Sequence, residues 1–260
     1  SAFSGRWIDV YPTAGKLSGA YMSGDAYGVH PYVLINFNGN YESVSTLAHE
    51  LGHAAHSHLS NKHQPFVNSR YPIFLAEVAS TVNEALLMDY VLGRVKDDSE
   101  KIALLGGYLE GFRTTLFRQT QFAEYELLIH QAAENGEALT GEGFTAIYLD
   151  LLKKYCGHSR GVCTIDDLYG IEWSYIPHFF YNFYVFQYST SFTASQAIAA
   201  RILEGDQETV DKYLAFLKSG RSDYPIPTLK RVGIDMERPE PFRLTLRRMN
   251  EVMDMIEKLQ

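Results

Sequence analysis

The sequence predicts a mainly α-helical fold with a small antiparallel β-sheet near the N-terminus, at about residues 17–38. Three observations predict it. Before position 40, apolar residues fall in short β-type runs broken by glycine; beyond position 43 their spacing turns helical and stays so. Helix stop signals recur at Gly93, Asn135-Gly136 and Gly205. The composition, 46% hydrophobic with 21% charged over 260 residues, suits a globular chain that buries a core.

In chain order, Gly19-Ala-Tyr-Met and Val33-Leu-Ile-Asn-Phe37 read as strands, separated by the turn-prone Ser23-Gly-Asp25. A helix is expected from Ser43 to about Ser60, with Ser43 or Ser45 as its cap, and a second from about Ile73 to Leu92. A long helix follows from about Ser99 to Ala133, and another over roughly 141–155. The stretch Gly157 to Gly170 is irregular. Pro177 stands where a first helical turn would start, and the pattern runs on to Leu203. Short helices near 207–218 and 226–232 precede a last amphipathic one from about Pro241 to Leu259. Residues 1–260 read as one domain.

Charge and cysteine usage exclude some classes. The net charge of -8 argues against a general nucleic-acid surface. Two cysteines, Cys156 and Cys163, supply no disulfide framework, and no long apolar run suggests a membrane span. No secretory signal opens the chain, so a cytoplasmic setting is expected.

Of nine histidines, five fall at 49, 53, 56, 58 and 63. His49-Glu50-Leu51-Gly52-His53 matches H-E-x-x-H. On a helix, residues four apart differ by about 40° of rotation and about 6 Å of rise, so both imidazoles reach one ion. Glu50, offset by about 100°, stands beside that ion, where a base for a zinc-activated water belongs. A third ligand is needed. His56 shares the face of His49 but lies two turns along the axis. Glu77, in Phe74-Leu-Ala-Glu77-Val-Ala-Ser-Thr-Val-Asn-Glu84, can be brought over the motif by an antiparallel helix pair. Glu77 is therefore assigned as the ligand, with Glu84 accepting a hydrogen bond from a ligand histidine.

Between Trp173 and Phe192 there are ten aromatics, with His178 among them. Were this stretch one helix, Tyr181, Tyr184 and Tyr188 would fall within about 60° of one another, close to His178. Such a stripe reads as core packing or as hydroxyls aimed at a developing oxyanion, and the pattern does not decide between them.

The motif through Ala54-Ala-His56, the Glu77 helix, and Ile176-Pro-His-Phe-Phe-Tyr-Asn-Phe-Tyr-Val-Phe-Gln-Tyr188 together resemble the oligoendopeptidase F family, zinc oligopeptidases related to thimet oligopeptidase. The resemblance extends through Gly28-Val-His-Pro-Tyr-Val-Leu-Ile-Asn-Phe37, Tyr213-Leu-Ala-Phe-Leu-Lys-Ser-Gly220 and Val232-Gly-Ile-Asp-Met236. It implies a zincin-like catalytic half holding one Zn2+ through His49, His53 and Glu77, with Glu50 as general base. His178, Tyr181 and Tyr184 would stabilise the tetrahedral intermediate, although the spacing of that histidine to the tyrosines departs from the thimet-type branch. Short unfolded peptides are the implied substrates, pairing with an exposed edge strand near Val33 to Phe37. Family members are about twice as long, and their N-terminal helical half forms the opposite wall of a channel. The chain is therefore expected to be a catalytic half, with the missing half as a partner, and the Ser1 start fits that expectation. Two rivals stand beside an active endopeptidase: an inactive zinc- and peptide-binding fragment, and a zinc hydrolase of non-peptide amides. Cys156, His158 and Cys163 read as ordinary loop residues.

Overall fold

In the computed structural model, which describes residues 2–260, three short strands precede a run of helices. Strands β1 (Ile8–Asp9), β2 (Tyr21–Ser23) and β3 (Tyr32–Leu34) form one sheet in the order β1-β3-β2. β2 runs antiparallel to β3, with Met22 opposite Val33, as the sequence suggests. β1 adds a parallel pairing, Ile8 opposite Val33, so the sheet is mixed. This corrects one expectation. The stretch around Val33 is the central strand, hydrogen-bonded on both sides, and the free edges belong to β1 and β2. Val33 and Ile35 are buried there against Ala54, which explains the apolar run: a strand covered by neighbours, rather than an exposed edge.

The helices follow as α1 (Tyr41–His63), α2 (Phe66–Ser69), α3 (Ile73–Leu92), α4 (Asp98–Gly111), α5 (Arg118–Glu134), α6 (Gly141–Tyr155), α7 (Phe186–Leu203), α8 (Gln207–Leu217), α9 (Pro225–Arg231) and α10 (Glu240–Leu259). α1 is capped one turn earlier than expected: Asn40 Oδ1 accepts the Ser43 N–H at 2.9 Å, and Ser43 lies inside the helix. Between α4 and α5 the expected long helix passes through a π-helical turn, Phe112–Phe117.

The larger correction lies between Pro177 and Leu203, where one helix was expected. Residues Asp167–Tyr175 and Pro177–Tyr181 are 3-10 turns, and α7 begins only at Phe186. Asn182 and Phe183 interrupt the path with φ of 45° and 55°. Side chains rarely take that region, and a bulky ring there is held only by surrounding structure.

The chain divides into two compact units. The first joins Ser1–Leu109 to Thr190–Gln260; the second is Glu110–Ser189. The core of the first is built from Leu75, Val78, Ala79 and Val82 of α3, Ala197 and Ile198 of α7, and Phe216, Leu229 and Ile234. α1 packs along α3, and the residues α1 buries are small or polar: Gly52 against α3, Ala54 against the sheet, and His56, Ser57 and Ser60 against the segment that carries Ser69 and Tyr71. Phe122, Tyr125, Tyr148, Leu151, Ile176 and Val185 form the core of the second unit. Among the described residues, no helix is long and apolar enough to cross a membrane.

Candidate metal centre

α1 carries His49 and His53 one turn apart, and α3 presents Glu77 to both. His49 Nε2 and His53 Nε2 are 3.2 Å apart, and Glu77 Oε2 is 3.3 Å from the first and 3.4 Å from the second. These atoms form a nearly equilateral triangle. A tetrahedral ion with bonds of about 2.0–2.1 Å needs donors about 3.3–3.4 Å apart, so the three residues fit a zinc ion in both donor type and spacing. Among the described residues this is the one group of three or more His, Cys, Asp or Glu side chains close enough to share an ion.

Electrostatics describe the same cluster. Burial pulls the His49 pKa down, but hydrogen bonds to Glu77 and Glu84 outweigh it and lift the group to about 10. Burial likewise works against the Glu77 charge, yet contact with the two imidazoles holds its carboxyl well below the usual carboxylate range. Two carboxylates thus demand positive charge at this spot. A divalent cation would supply it while leaving both imidazoles neutral, as ligation requires.

Supporting contacts surround the donors. His49 Nδ1 lies 3.3 Å from Glu84 Oε2, the arrangement that fixes a ligating imidazole in one tautomer. The sequence also leads to Glu84, seven residues after Glu77 on the same helix. It does not single out Ser80, whose hydroxyl reaches Glu77 Oε2 at 2.9 Å, nor Ser45, which reaches Glu84 Oε1 at 3.4 Å. An i, i+3 offset from the predicted ligand was the available signal for Ser80. Glu50 is 6% exposed, and burial pushes its carboxyl pKa up, against the lowering influence of His49 and His53. His56 is not part of the cluster. It is fully buried, its ring stacked 3.6 Å from that of Tyr71, and neither ring nitrogen has a hydrogen-bond partner among the described residues. Burial lowers its pKa to about 3.

The aromatic residues singled out by the sequence gather within the second unit. The His178 ring lies 6.0 Å from Tyr181, 5.9 Å from Tyr184 and 6.1 Å from Tyr188, and the Tyr188 hydroxyl donates to that of Tyr184 at 3.2 Å. The packed-core alternative does not hold for them: Tyr181 is 60% exposed, and His178, Tyr184 and Tyr188 are partly so. A turn gathers them, not a helical stripe. Glu126, buried on α5, accepts the Phe183 N–H at 3.0 Å and so ties the left-handed residues down. In the loop at Cys156–Cys163, His158 Nδ1 accepts the Ile165 N–H at 2.9 Å.

Comparison with known proteins gives concordant results. The family model described as peptidase family M3 matches residues 1–248. Oligopeptidase PepF of Bacillus subtilis is 50% identical over 254 residues, covering 98% of this chain and 37% of that protein. A crystal structure described as that of a peptidase from Chlamydophila abortus superposes with a TM-score of 0.87 at 45% identity, over 98% of this chain and 42% of the other. Oligoendopeptidase F from Enterococcus faecium gives a TM-score of 0.69 at 40% identity, over 84% and 40%. The chain therefore spans about two fifths of the length of these relatives.

Proposed function

We propose, for a chain that belongs to peptidase family M3, that it carries the zinc centre of an endopeptidase acting on short oligopeptides. The observation that carries this reading is the triangle of His49, His53 and Glu77, whose 3.2–3.4 Å edges fit a tetrahedral ion. When bound, zinc supplies a Lewis acid that polarises a carbonyl and makes a water acidic near neutral pH.

The chain's own residues do the rest. Glu84 holds the His49 ring through Nδ1, so that Nε2 faces Glu77. Glu50, next in sequence to His49 and shielded from solvent, takes the proton of the attacking water on its carboxylate and returns it to the leaving amine. Burial supports this role, because a carboxyl of raised pKa is a stronger base than an exposed one. Tyr181 and Tyr184, with His178, are read as donors to the oxyanion of the tetrahedral intermediate, supported by partly exposed phenols clustered around one imidazole. Substrates are short unfolded peptides, and the compartment is read as the cytoplasm.

Zinc content and cleavage of a fluorogenic peptide, measured on the Glu50→Gln variant, test this reading. Stoichiometric zinc with turnover down by about 10³-fold or more is expected; near-normal turnover would remove Glu50 as the base. A second reading is favoured by length, since the chain spans about two fifths of its relatives: residues 1–260 hold zinc and peptide without turning over. Zinc-replete chain that binds the peptide but gains activity only with the remaining part of a full-length relative would select it.

A further inference from the structure

We infer that Gly52, which touches no ligand, is the positioning residue that lets α3 approach α1 closely enough for Glu77 to complete the metal triangle. The inference rests on the reading that His49, His53 and Glu77 hold the ion. Gly52 directly precedes His53 in a helical stretch without a left-handed φ, so the backbone does not need glycine there. Helix propensity favours alanine by about 1 kcal/mol.

Space is what demands it. A Cβ at position 52 would lie 2.6 Å from Ala79 O, 2.6 Å from Ser80 Cα and 2.9 Å from Ala79 C. All three are backbone atoms of α3, so no rotamer change relieves the clash. By contrast, a Cβ at Gly106 or Gly107 of α4 would meet nothing within 4 Å. Restoring ordinary contact of 3.4 Å from the 2.6 Å approach requires the two helices to separate by several tenths of an ångström. Zinc sites tolerate about 0.2 Å in ligand distance. The contacted residues, 79 and 80, lie less than one turn beyond Glu77, so that separation passes almost undiluted to its carboxylate. Ser80 adds a second link: the residue whose Cα abuts Gly52 also reaches Glu77 Oε2 through its hydroxyl at 2.9 Å. The crossing thus sets both the height and the orientation of the third donor.

Competition with a chromophoric chelator reads this directly as zinc affinity. Gly52→Ala is expected to weaken zinc binding by about 100-fold, and Gly106→Ala to leave it unchanged. In a Glu77→Ala background, Gly52→Ala should cost nothing further, because the glycine acts through Glu77; an undiminished cost there, or full affinity in the single variant, overturns the inference. Crystals of metal-free Gly52→Ala provide a readout independent of the ion: Glu77 Oε2 is expected more than about 0.5 Å farther from both imidazoles. Unchanged spacing overturns the inference whatever zinc does. Widened spacing in a chain whose wild type binds no zinc leaves Gly52 as the residue that sets the distance from Glu77 to the imidazoles and sinks the metallopeptidase reading instead. Should Gly52→Ala fail to fold, Ser80→Ala keeps the crossing open and removes the hydroxyl. It is expected to weaken zinc about 10-fold, only while Glu77 is present, and no loss there overturns the inference.

Discussion

His49, His53 and Glu77 stand on the regular helices α1 and α3, whereas His178, Tyr181, Tyr184 and Tyr188 surround a break between a 3-10 turn and α7. In the first region each donor direction follows from helix periodicity and one tight crossing, and no backbone angle is unusual. In the second, Asn182 and Phe183 hold left-handed angles that their side chains resist, and the buried carboxylate of Glu126, 57 residues away, keeps them there. The difference teaches which functional geometry survives insult. A helix-borne site fails when a donor or a crossing is removed, while a turn-borne cluster fails when a distant anchor lets go.

The sharpest way to test that contrast is at the donors. Glu77→Ala removes one corner of the triangle and is expected to weaken zinc by about 1000-fold or more in chelator competition, with helix content unchanged by circular dichroism. Tyr184→Phe is expected to lower turnover by about 10²–10³-fold with zinc content intact, measured on a form of the enzyme that cleaves peptides. Equal turnover would leave Tyr184 a packing residue and dissolve the comparison. At the anchor, Glu126→Ala removes the acceptor of the Phe183 N–H at a residue 39% exposed, where water can take its place, and should cost about 1 kcal/mol by denaturant unfolding, without altering zinc affinity. A parallel loss of zinc would show that the two regions are not independent.

The last effect, absent at neutral pH, concerns His56, a residue of α1 stacked on Tyr71. Its folded pKa, lowered to about 3 by burial, lies below the ordinary 6.5. The unfolded chain therefore binds the extra proton first, so this stability is complete above pH 6.5 and is lost as pH falls toward 3. The slope from this one group is about 1.4 kcal/mol per pH unit. His56→Phe keeps the ring stack on Tyr71 and removes the titration. Its advantage over wild type should therefore grow between pH 6.5 and 4 in thermal unfolding curves.

Much of this was legible in the sequence for a physical reason. Helices α3, α6, α8, α9 and α10 fall within a residue or two of expectation because glycine, proline and polar residues mark their ends. The pair His49 and His53 was legible because four-residue spacing on a helix fixes a direction, and Glu77 because a carboxylate on an apolar helix needs a cation. The break at Asn182–Phe183 was not. Its left-handed residues are not glycines, and what holds them is a side chain on another helix, which no local window contains. The parallel partner β1, two residues long, carries no periodicity to read. Likewise Ser43 looked like a cap because the true cap, Asn40, lay inside an Asn-Gly-Asn run that also reads as a turn.

All three donors of the triangle belong to one of the two units, and that has a thermodynamic consequence. An ion bound there acts directly on the folding of the first unit: each tenfold rise in free zinc above its dissociation constant adds about 1.4 kcal/mol to that unit, and reaches Glu110–Ser189 only to the extent that the two unfold together. Hydrogen exchange read along the chain would then show how far zinc protection carries past the boundary, making the metal a meter of how far the two units unfold separately.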